Sequence, residues 1–512
     1  MTIADSFFVP LEDTEHFDKD DATCPQFLVS KSRGFLPRQD PLAELPADFA
    51  TLDSLLKRMT VLQPQDRNGD RSMGLLGTGD FGSAVLKELQ PEGREVQAVR
   101  AAIAKGDSRL ISALFRDYCF ATSAYLLEPV DVAYRKTGRY APGRNRLPAQ
   151  LAVPLKLLAD ELGHFPFMEY ASSYALMNYR VKDDDYKGFA GRYSFENLEL
   201  IRAFQDADGS EKGFILVHVE MVSFSGQLVS ATEAAMLAAS QDDMPAFESH
   251  MRRMLETYRK IQVSMESMWK RSKPQDYLKL RSFIFGTGPK DTNPMFPEGV
   301  VYEGVDTKPM HFRGESGAND QLVPLGDNFL EITKHHPDND LTKILREFRE
   351  YRPATHRSYT ASLEIRASEI GIRSLAMKTS PLSKALYILL VDQIREFRAR
   401  HWRFAQAYII KATKFPLATG GSEMARYLPN NLKTVLRVLD ESISEWSQLD
   451  FDSLQSLGAD ETLLAEMVER VIRATDYQRQ ELAQEVSLLQ EERRNDPDSG
   501  MLDAKAVRQL VV

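Results

Sequence analysis

Apolar residues three or four positions apart dominate the chain from Leu52 onward. That spacing predicts helices. Helices are expected over 98–104, 110–127, 151–162, 166–180, 244–270, 340–350 and 360–367. In the second, Leu114, Phe115, Tyr118 and Tyr125 share the apolar face. A longer helix is predicted over 384–413, a run without proline or glycine. There Leu390, Ile394, Phe397, Phe404 and Tyr408 fall on one side, because side chains at helical spacing stack one above another. The run from Phe214 to Val222 is continuously apolar and fits a buried strand or a buried helix.

Turn-forming residues punctuate this pattern. Loops are expected over 139–146, 182–188 and 286–309, at Asp206-Ala207-Asp208-Gly209, and at Phe415-Pro416-Leu417-Ala418-Thr419-Gly420-Gly421-Ser422. Residues 1–33 read as a loose acidic lead, followed by an extended, proline-marked stretch over 34–46. The segment 431–512 returns to a charged helical pattern. Its stripe of Leu464, Val468, Val471 and Ile472 either packs on its own protein or receives a partner. The fold class expected is all-α.

Composition narrows the field. The chain has 512 residues, enough for two domains with extensions. The net charge is −10 with no basic stripe or tail, so nucleic acid is not an expected partner. Cys24 and Cys119 are the only cysteines, which suits a reducing cytoplasm better than a disulfide framework or a zinc site. The acidic start lacks the basic and apolar blocks of a signal peptide. Ala385 to Val391, read as the most apolar stretch, is too short to cross a bilayer, so no membrane partner is expected.

Candidate chemistry centres on Phe397-Arg398-Ala399-Arg400-His401-Trp402-Arg403-Phe404. His401 lies on the apolar face, four residues after Phe397 and three before Phe404. It is either a satisfied core histidine or a metal ligand in an apolar site. Arg398, one turn earlier, can meet an anionic group of whatever the histidine holds. Haem offers both an iron for an imidazole and carboxylates for a guanidinium. His218, between Leu216-Val217 and Val219, reads as a core histidine when taken alone, and Arg281 as a surface or salt-bridged arginine. Gly314-Glu315-Ser316-Gly317-Ala318 is a small-residue loop whose backbone can approach a flat ligand. Gly77-Thr78-Gly79-Asp80-Phe81-Gly82 imitates a kinase glycine-rich loop, but no His-Arg-Asp catalytic loop follows, so it reads as a flexible loop. His335-His336, before Pro337-Asp338-Asn339, reads as an exposed turn without metal. Asp66-Arg67-Asn68-Gly69-Asp70 lacks the later glutamate of a calcium loop.

A set of short motifs, in order, is similar to a known family. They are Leu147-Pro148 through Ala152-Val153-Pro154, Lys212-Gly213-Phe214, Gly299-Val300-Val301-Tyr302-Glu303-Gly304 and Phe312-Arg313-Gly314-Glu315-Ser316-Gly317-Ala318. Arg352-Pro353-Ala354-Thr355-His356-Arg357, the Arg398/His401 helix and Thr419-Gly420-Gly421-Ser422 complete the series. Over roughly residues 34 to 422 the chain resembles the indoleamine 2,3-dioxygenase family. The resemblance implies two helical domains, a smaller one over 34–203 capping a larger haem-binding one over 204–430, with 431–512 as an extension. It implies haem b with His401 as proximal ligand and Arg398 on a propionate. It implies Arg281 on the substrate carboxylate, Phe214, Tyr277 and Tyr170 in an aromatic pocket, Ser316 and Gly317 at the haem edge, and Thr419 in a closing loop. His218 falls where family members carry a distal serine or histidine. The implied reaction inserts O₂ across the indole C2–C3 bond of L-tryptophan to give N-formylkynurenine, with an electron donor keeping the iron ferrous.

Three departures bear on the substrate. Asp276 replaces a residue that is often aromatic, Asn319-Asp320-Gln321 stands where Gln-Ser-Ser is usual, and Gly286-Thr287 stands where Gly-Trp is common. They leave open an oxygenase acting on a modified indole. A helical haem-binding or interaction protein without enzyme activity is the further alternative.

Overall fold

The computed structural model describes residues 24–288, 293–338, 340–415, 418–421, 424–449 and 459–495. Expectations that rest on 1–23, 289–292, Pro416, Leu417, Ser422, 450–458 or 496–512 lie outside the described residues.

Helices build nearly all of it. In the first half these are α1 (Ala50–Lys57), α2 (Leu75–Thr78), α3 (Phe81–Glu88), α4 (Arg94–Lys105), α5 (Ser108–Thr137), α6 (Ala149–Leu162) and α7 (Gly188–Arg192). Next come α8 (Ser210–Ser223), α9 (Ser225–Ser240), α10 (Met244–Glu266), α11 (Met268–Arg271), α12 (Pro274–Arg281), α13 (Leu322–Phe329) and α14 (Asp340–Arg349). The last are α15 (Ala354–Ile370), α16 (Ile372–Thr379), α17 (Pro381–Ala405), α18 (Met424–Trp446) and α19 (Ala459–Asn495). Strand pairing among the described residues is slight: two short ladders and three isolated bridges. Arg146–Leu147 runs parallel to Val301–Tyr302, and Tyr179–Val181 antiparallel to Leu198–Leu200.

Local chemistry explains where the long helices start. Asp107 accepts the backbone N–H of Leu110 to open α5, and Asp243 accepts that of Ala246 to open α10. Ser380 and Ser383 form a reciprocal cap on α17, with Pro381 in the first turn where its missing N–H costs nothing. α5 is buried on almost every side and is the hub of the first half, packed by α6 and α3. In the second half α10 lies against α9 and α17, and α17 lies against α18 and α19. A single connected apolar core runs through both halves.

The ambiguous run at Phe214 is helix. With α9 it forms an apolar helical stretch, Ser210–Ser240, long enough to cross a membrane by length and composition, but mostly buried inside the protein. This stretch, not Ala385 to Val391, is the longer apolar run; a core helix pair meets the same length test. The stripe on α19 packs on its own chain: Leu464, Val468 and Val471 are buried, and the indole N–H of Trp402 on α17 donates to Glu485 at 2.6 Å.

Four expectations change. Residues 166–180 are not one helix. The Glu169 carboxylate accepts the N–H groups of Ala171 and Ser172 and opens a single wide π turn, Tyr170–Tyr174. The Asn178 side chain then bonds Arg202 through both its oxygen (2.8 Å) and its nitrogen (2.9 Å), pulling the chain into the β ladder. Residues 24–33 are not loose: Phe27, Leu28 and Val29 are buried. The His335-His336 pair closes a short 3₁₀ turn and is half-buried. The glycine-rich stretch at 77–82 is not a flexible loop but the junction of α2 and α3. There the Glu128 carboxylate of α5 takes the N–H groups of Phe81 (2.7 Å) and Gly82 (3.0 Å) and pairs with Arg144 at 2.6 Å. The helix N-terminus that could cradle a phosphate is already filled by a carboxylate. Glu128→Ala is expected to lower stability by about 2 kcal/mol, chiefly because it leaves two buried backbone donors without an acceptor. Urea denaturation checks it, and a loss below about 1 kcal/mol would contradict this account of the junction.

Candidate active site

An apolar cavity opens between α8, α12, α17 and α18. Each wall has a local cause. On α8, Gly213 allows contact with the α10–α12 connection: a Cβ there would come within 1.8 Å of the Arg271 carbonyl. Phe214, the next residue, and His218, one turn further, face the cavity, with ring centroids 5.4 Å apart. Tyr277 of α12 packs on Phe214 at 5.0 Å. On α17, Phe397, His401 and Phe404 form the opposite wall, as their spacing requires. The helix does not run unbroken to residue 413. It widens at Gln406–Ile410 into a π turn, which turns Tyr408 into the cavity with its hydroxyl on the Ser272 carbonyl at 2.5 Å.

The small-residue loop supplies the edge. Glu315, Ser316 and Gly317 line the cavity, and a Cβ on Gly317 would sit 3.3 Å from His218 Cε1. Thr419 faces the same space and donates its hydroxyl to the Glu315 carbonyl at 2.6 Å, fastening one loop to the other.

The two imidazoles differ in their company. His401 makes no hydrogen bond to any described residue, and burial alone pushes its pKa down to about 4. It is a neutral imidazole with free ring nitrogens in an apolar setting. His218 is likewise held neutral, down to about 4, by burial first and by His401 second. Its Nδ1 lies 3.3 Å from the Tyr170 hydroxyl, which donates to Asp320 Oδ2 at 3.2 Å.

The remaining expected residues sit further back. Tyr170 stands behind His218 and does not line the cavity. Arg281 is fully buried behind Tyr277; its guanidinium lies 4.7 Å from the Phe285 ring and 5.7 Å from that of Phe415, and donates to the Phe415 carbonyl at 3.4 Å. Arg398 points away from His401 to Asp327 at 2.6 Å, because that buried carboxylate needs a cation. Asp276 is also turned away, bonded to Ser210 (2.8 Å) and Lys279 (2.9 Å). Asp320 does enter the cavity wall.

Sequence reading missed Met221, Met265, Met268, Met424 and Leu428 as cavity residues. No pattern marks them, since methionine and leucine are ordinary core residues. It also passed over Glu315, for which a signal existed: a lone charge between glycine and serine in a loop.

The sequence model of indoleamine 2,3-dioxygenase matches residues 23–447. The chain belongs to the indoleamine 2,3-dioxygenase family. It is 28% identical to rat indoleamine 2,3-dioxygenase 1 over 273 residues, 53% of this chain and 64% of the relative. It is 26% identical to the indoleamine 2,3-dioxygenase nanC of Aspergillus nanangensis over 423 residues, 78% of this chain and 93% of the relative. It is also 26% identical to a myoglobin of the abalone Haliotis diversicolor over 273 residues, 53% and 66% of the two chains. The chain spans between 62% and 64% of the mammalian indoleamine 2,3-dioxygenases it matches. Helix α19 begins at Ala459, beyond the stretch that the family model covers.

Enzymes of the indoleamine 2,3-dioxygenase family depend on haem iron. The cavity residues fit that group. His401 offers a neutral, unpartnered imidazole nitrogen, the form that binds iron. Phe397, Phe404 and the methionines suit a flat apolar macrocycle. Behind Tyr427, which lines the cavity, Arg349, Arg352 and Arg398 all act on Asp327 and on the Tyr427 phenol, so positive charge gathers beside that wall. Carboxylates of a bound ring would find it there.

Proposed function

We propose that the chain is a haem-dependent dioxygenase that inserts O₂ across the C2–C3 bond of L-tryptophan or a close indoleamine to give N-formylkynurenine. The observation that carries this reading is His401, a neutral imidazole without a protein partner in an aromatic, apolar cavity that also holds His218. Haem on His401, kept ferrous by an electron donor, would supply the activation of O₂. The protein supplies the rest. Phe214, Tyr277 and Phe404 exclude water and hold a flat indole by their faces. Arg281 is assigned to the substrate carboxylate, which requires the side chains between it and the cavity to make way. Arg398 has donors left beyond those given to Asp327 and to the Asn431 carbonyl, and is assigned to a propionate. Ser316 and Gly317 are assigned to the haem edge, and Thr419 to the loop over the substrate. A cytoplasmic setting suits Cys24 and Cys119, both unbridged.

His218 is assigned to the indole N–H. The Tyr170 hydroxyl donates its only hydrogen to Asp320, so it can only accept from His218 Nδ1. That places the imidazole proton on Nδ1 and leaves Nε2 as an acceptor. A ring held in this way orients a substrate and is not required to take its proton. His218→Ser is therefore expected to slow turnover roughly 10- to 100-fold, the cost of a misplaced substrate, with 1-methyltryptophan still bound. Steady-state kinetics check this. Complete loss of activity with normal haem and tryptophan binding would make His218 essential to the chemistry.

The deciding experiment is turnover of L-tryptophan by reduced, haem-loaded protein, followed by the appearance of N-formylkynurenine. Haem-loaded protein that binds O₂ reversibly and leaves tryptophan intact would instead support an oxygen-binding role, as the myoglobin relative's name suggests. Asp320 favours a variant of the main reading, in which the substrate is a modified indole with a hydrogen-bond donor reaching this carboxylate. A panel of substituted indoles in the same assay separates the two.

A further inference from the structure

Glu315 is a carboxyl group in the wrong place for a structural role. It is 3% exposed, it is among the residues that line the cavity, and it makes no hydrogen bond or ion pair with any described residue. A buried acid without a partner costs stability, so a fold does not gain by keeping one. The backbone at this point is firmly held. The Glu315 carbonyl accepts from Thr419, and Thr419 in turn accepts the N–H of Gly286 at 3.1 Å. The residue is thus held at the cavity edge by a fixed anchor.

Its surroundings indicate what would satisfy it. The charged group nearest enough to affect it is Glu169, a like charge, and burial with that neighbour pushes its pKa up to about 8. The acid therefore stays neutral until a cation arrives. The Tyr277 phenol, on the same wall, lies within electrostatic reach of both Arg281 and Glu315. A guanidinium and a carboxyl near the same aromatic ring match the two charges of an α-amino acid. A plain indole or an indole acid would leave Glu315 unmatched.

We infer that Glu315 receives the α-ammonium of the substrate and so selects zwitterionic indole amino acids over indole acids. This rests on the reading of the cavity as an indole site. The ammonium supplies the countercharge that the protein withholds, and the carboxyl ionises against it in a water-poor setting where the pair is strong.

The test compares L-tryptophan with indole-3-propionate, which keeps the ring, side chain and carboxylate and lacks the ammonium. Dissociation constants are measured by calorimetry on the haem-loaded ferric protein, native and Glu315→Gln. The amide is nearly isosteric, and the melting temperature reports its folding. Tryptophan affinity is expected to fall roughly thirtyfold, the lower range for removing one partner of a buried charge pair, while indole-3-propionate changes less than about threefold. Glu315→Asp, which keeps the charge on a shorter arm, is expected to recover part of the loss. Equal weakening of both ligands, or none of either, overturns the role of Glu315 and leaves the indole site standing. Failure of the native protein to bind either ligand overturns the indole site and this inference together.

Discussion

His401→Ala is expected to yield a folded protein that no longer retains haem. The imidazole makes no hydrogen bond that its loss would leave unmatched, and it faces a cavity and not packed side chains, so truncation costs the fold little. α17 is held elsewhere, by its Ser380 cap, by Trp402 on Glu485, and by α10, α18 and α19. Haem retention, by contrast, has no other unpartnered imidazole of this kind on that helix. Its affinity should fall by more than about 100-fold, beyond what altering a supporting residue of a metal site does. Absorption spectra of the purified variant, with haem titration and circular dichroism, check the two halves separately. A full haem complement with unchanged spectra would remove His401 from the axial position.

The second large effect is at Arg281. Arg281→Ala should cost roughly 2–5 kcal/mol of interaction with tryptophan, as when a buried charge pair loses one member. The residue is fully buried between aromatic rings, so the variant also loses packing, and loss of affinity alone does not isolate the carboxylate. Tryptamine provides the control, since it has no carboxylate to lose. A clamp weakens tryptophan and spares tryptamine; a merely structural arginine weakens both. Lysine should rescue poorly, because it lacks the planar fork and stacks less well on Phe285 and Phe415. Equal turnover of tryptophan and tryptamine by the native protein would count against the clamp before any mutation is made.

Much of this site could be read from residue spacing. Phe397, His401 and Phe404 share a wall because the helix has 3.6 residues per turn, and nothing in 384–405 interrupts it. The same rule misled at 166–180. There the apolar spacing is helical, but Glu169 and Asn178 compete for backbone groups, and their partners, Ala171, Ser172 and Arg202, are visible only in the folded chain. The junction at 77–82 failed for a related reason. Its glycines imitate a ligand loop, while the carboxylate that fills it comes from Glu128 on α5, far along the sequence. Resemblance to a family supplied residue types for Arg398, Arg281 and Tyr170, but not their orientation. Arg398 turns to Asp327, Arg281 lies behind Tyr277, and Tyr170 bonds His218 from outside the cavity. Charge neutralisation and ring stacking set those directions, and both depend on partners distant in the chain.

The packing of α19 against α17 has a consequence in time. Translation delivers the helix that carries His401 well before the helix that covers its back. At about 5–20 residues per second, the stretch from Ala405 to Asn495 takes roughly 5–20 s to synthesise. Until Glu485 arrives, Trp402 has no partner for its indole N–H, and that face of α17 is open to water and to other chains. The nascent protein thus passes through an interval in which its cavity side can be assembled while its outer side is unfinished. Synthesis rate, and whatever guards the emerging chain during those seconds, then bears on how much of the protein reaches a state able to load its cofactor.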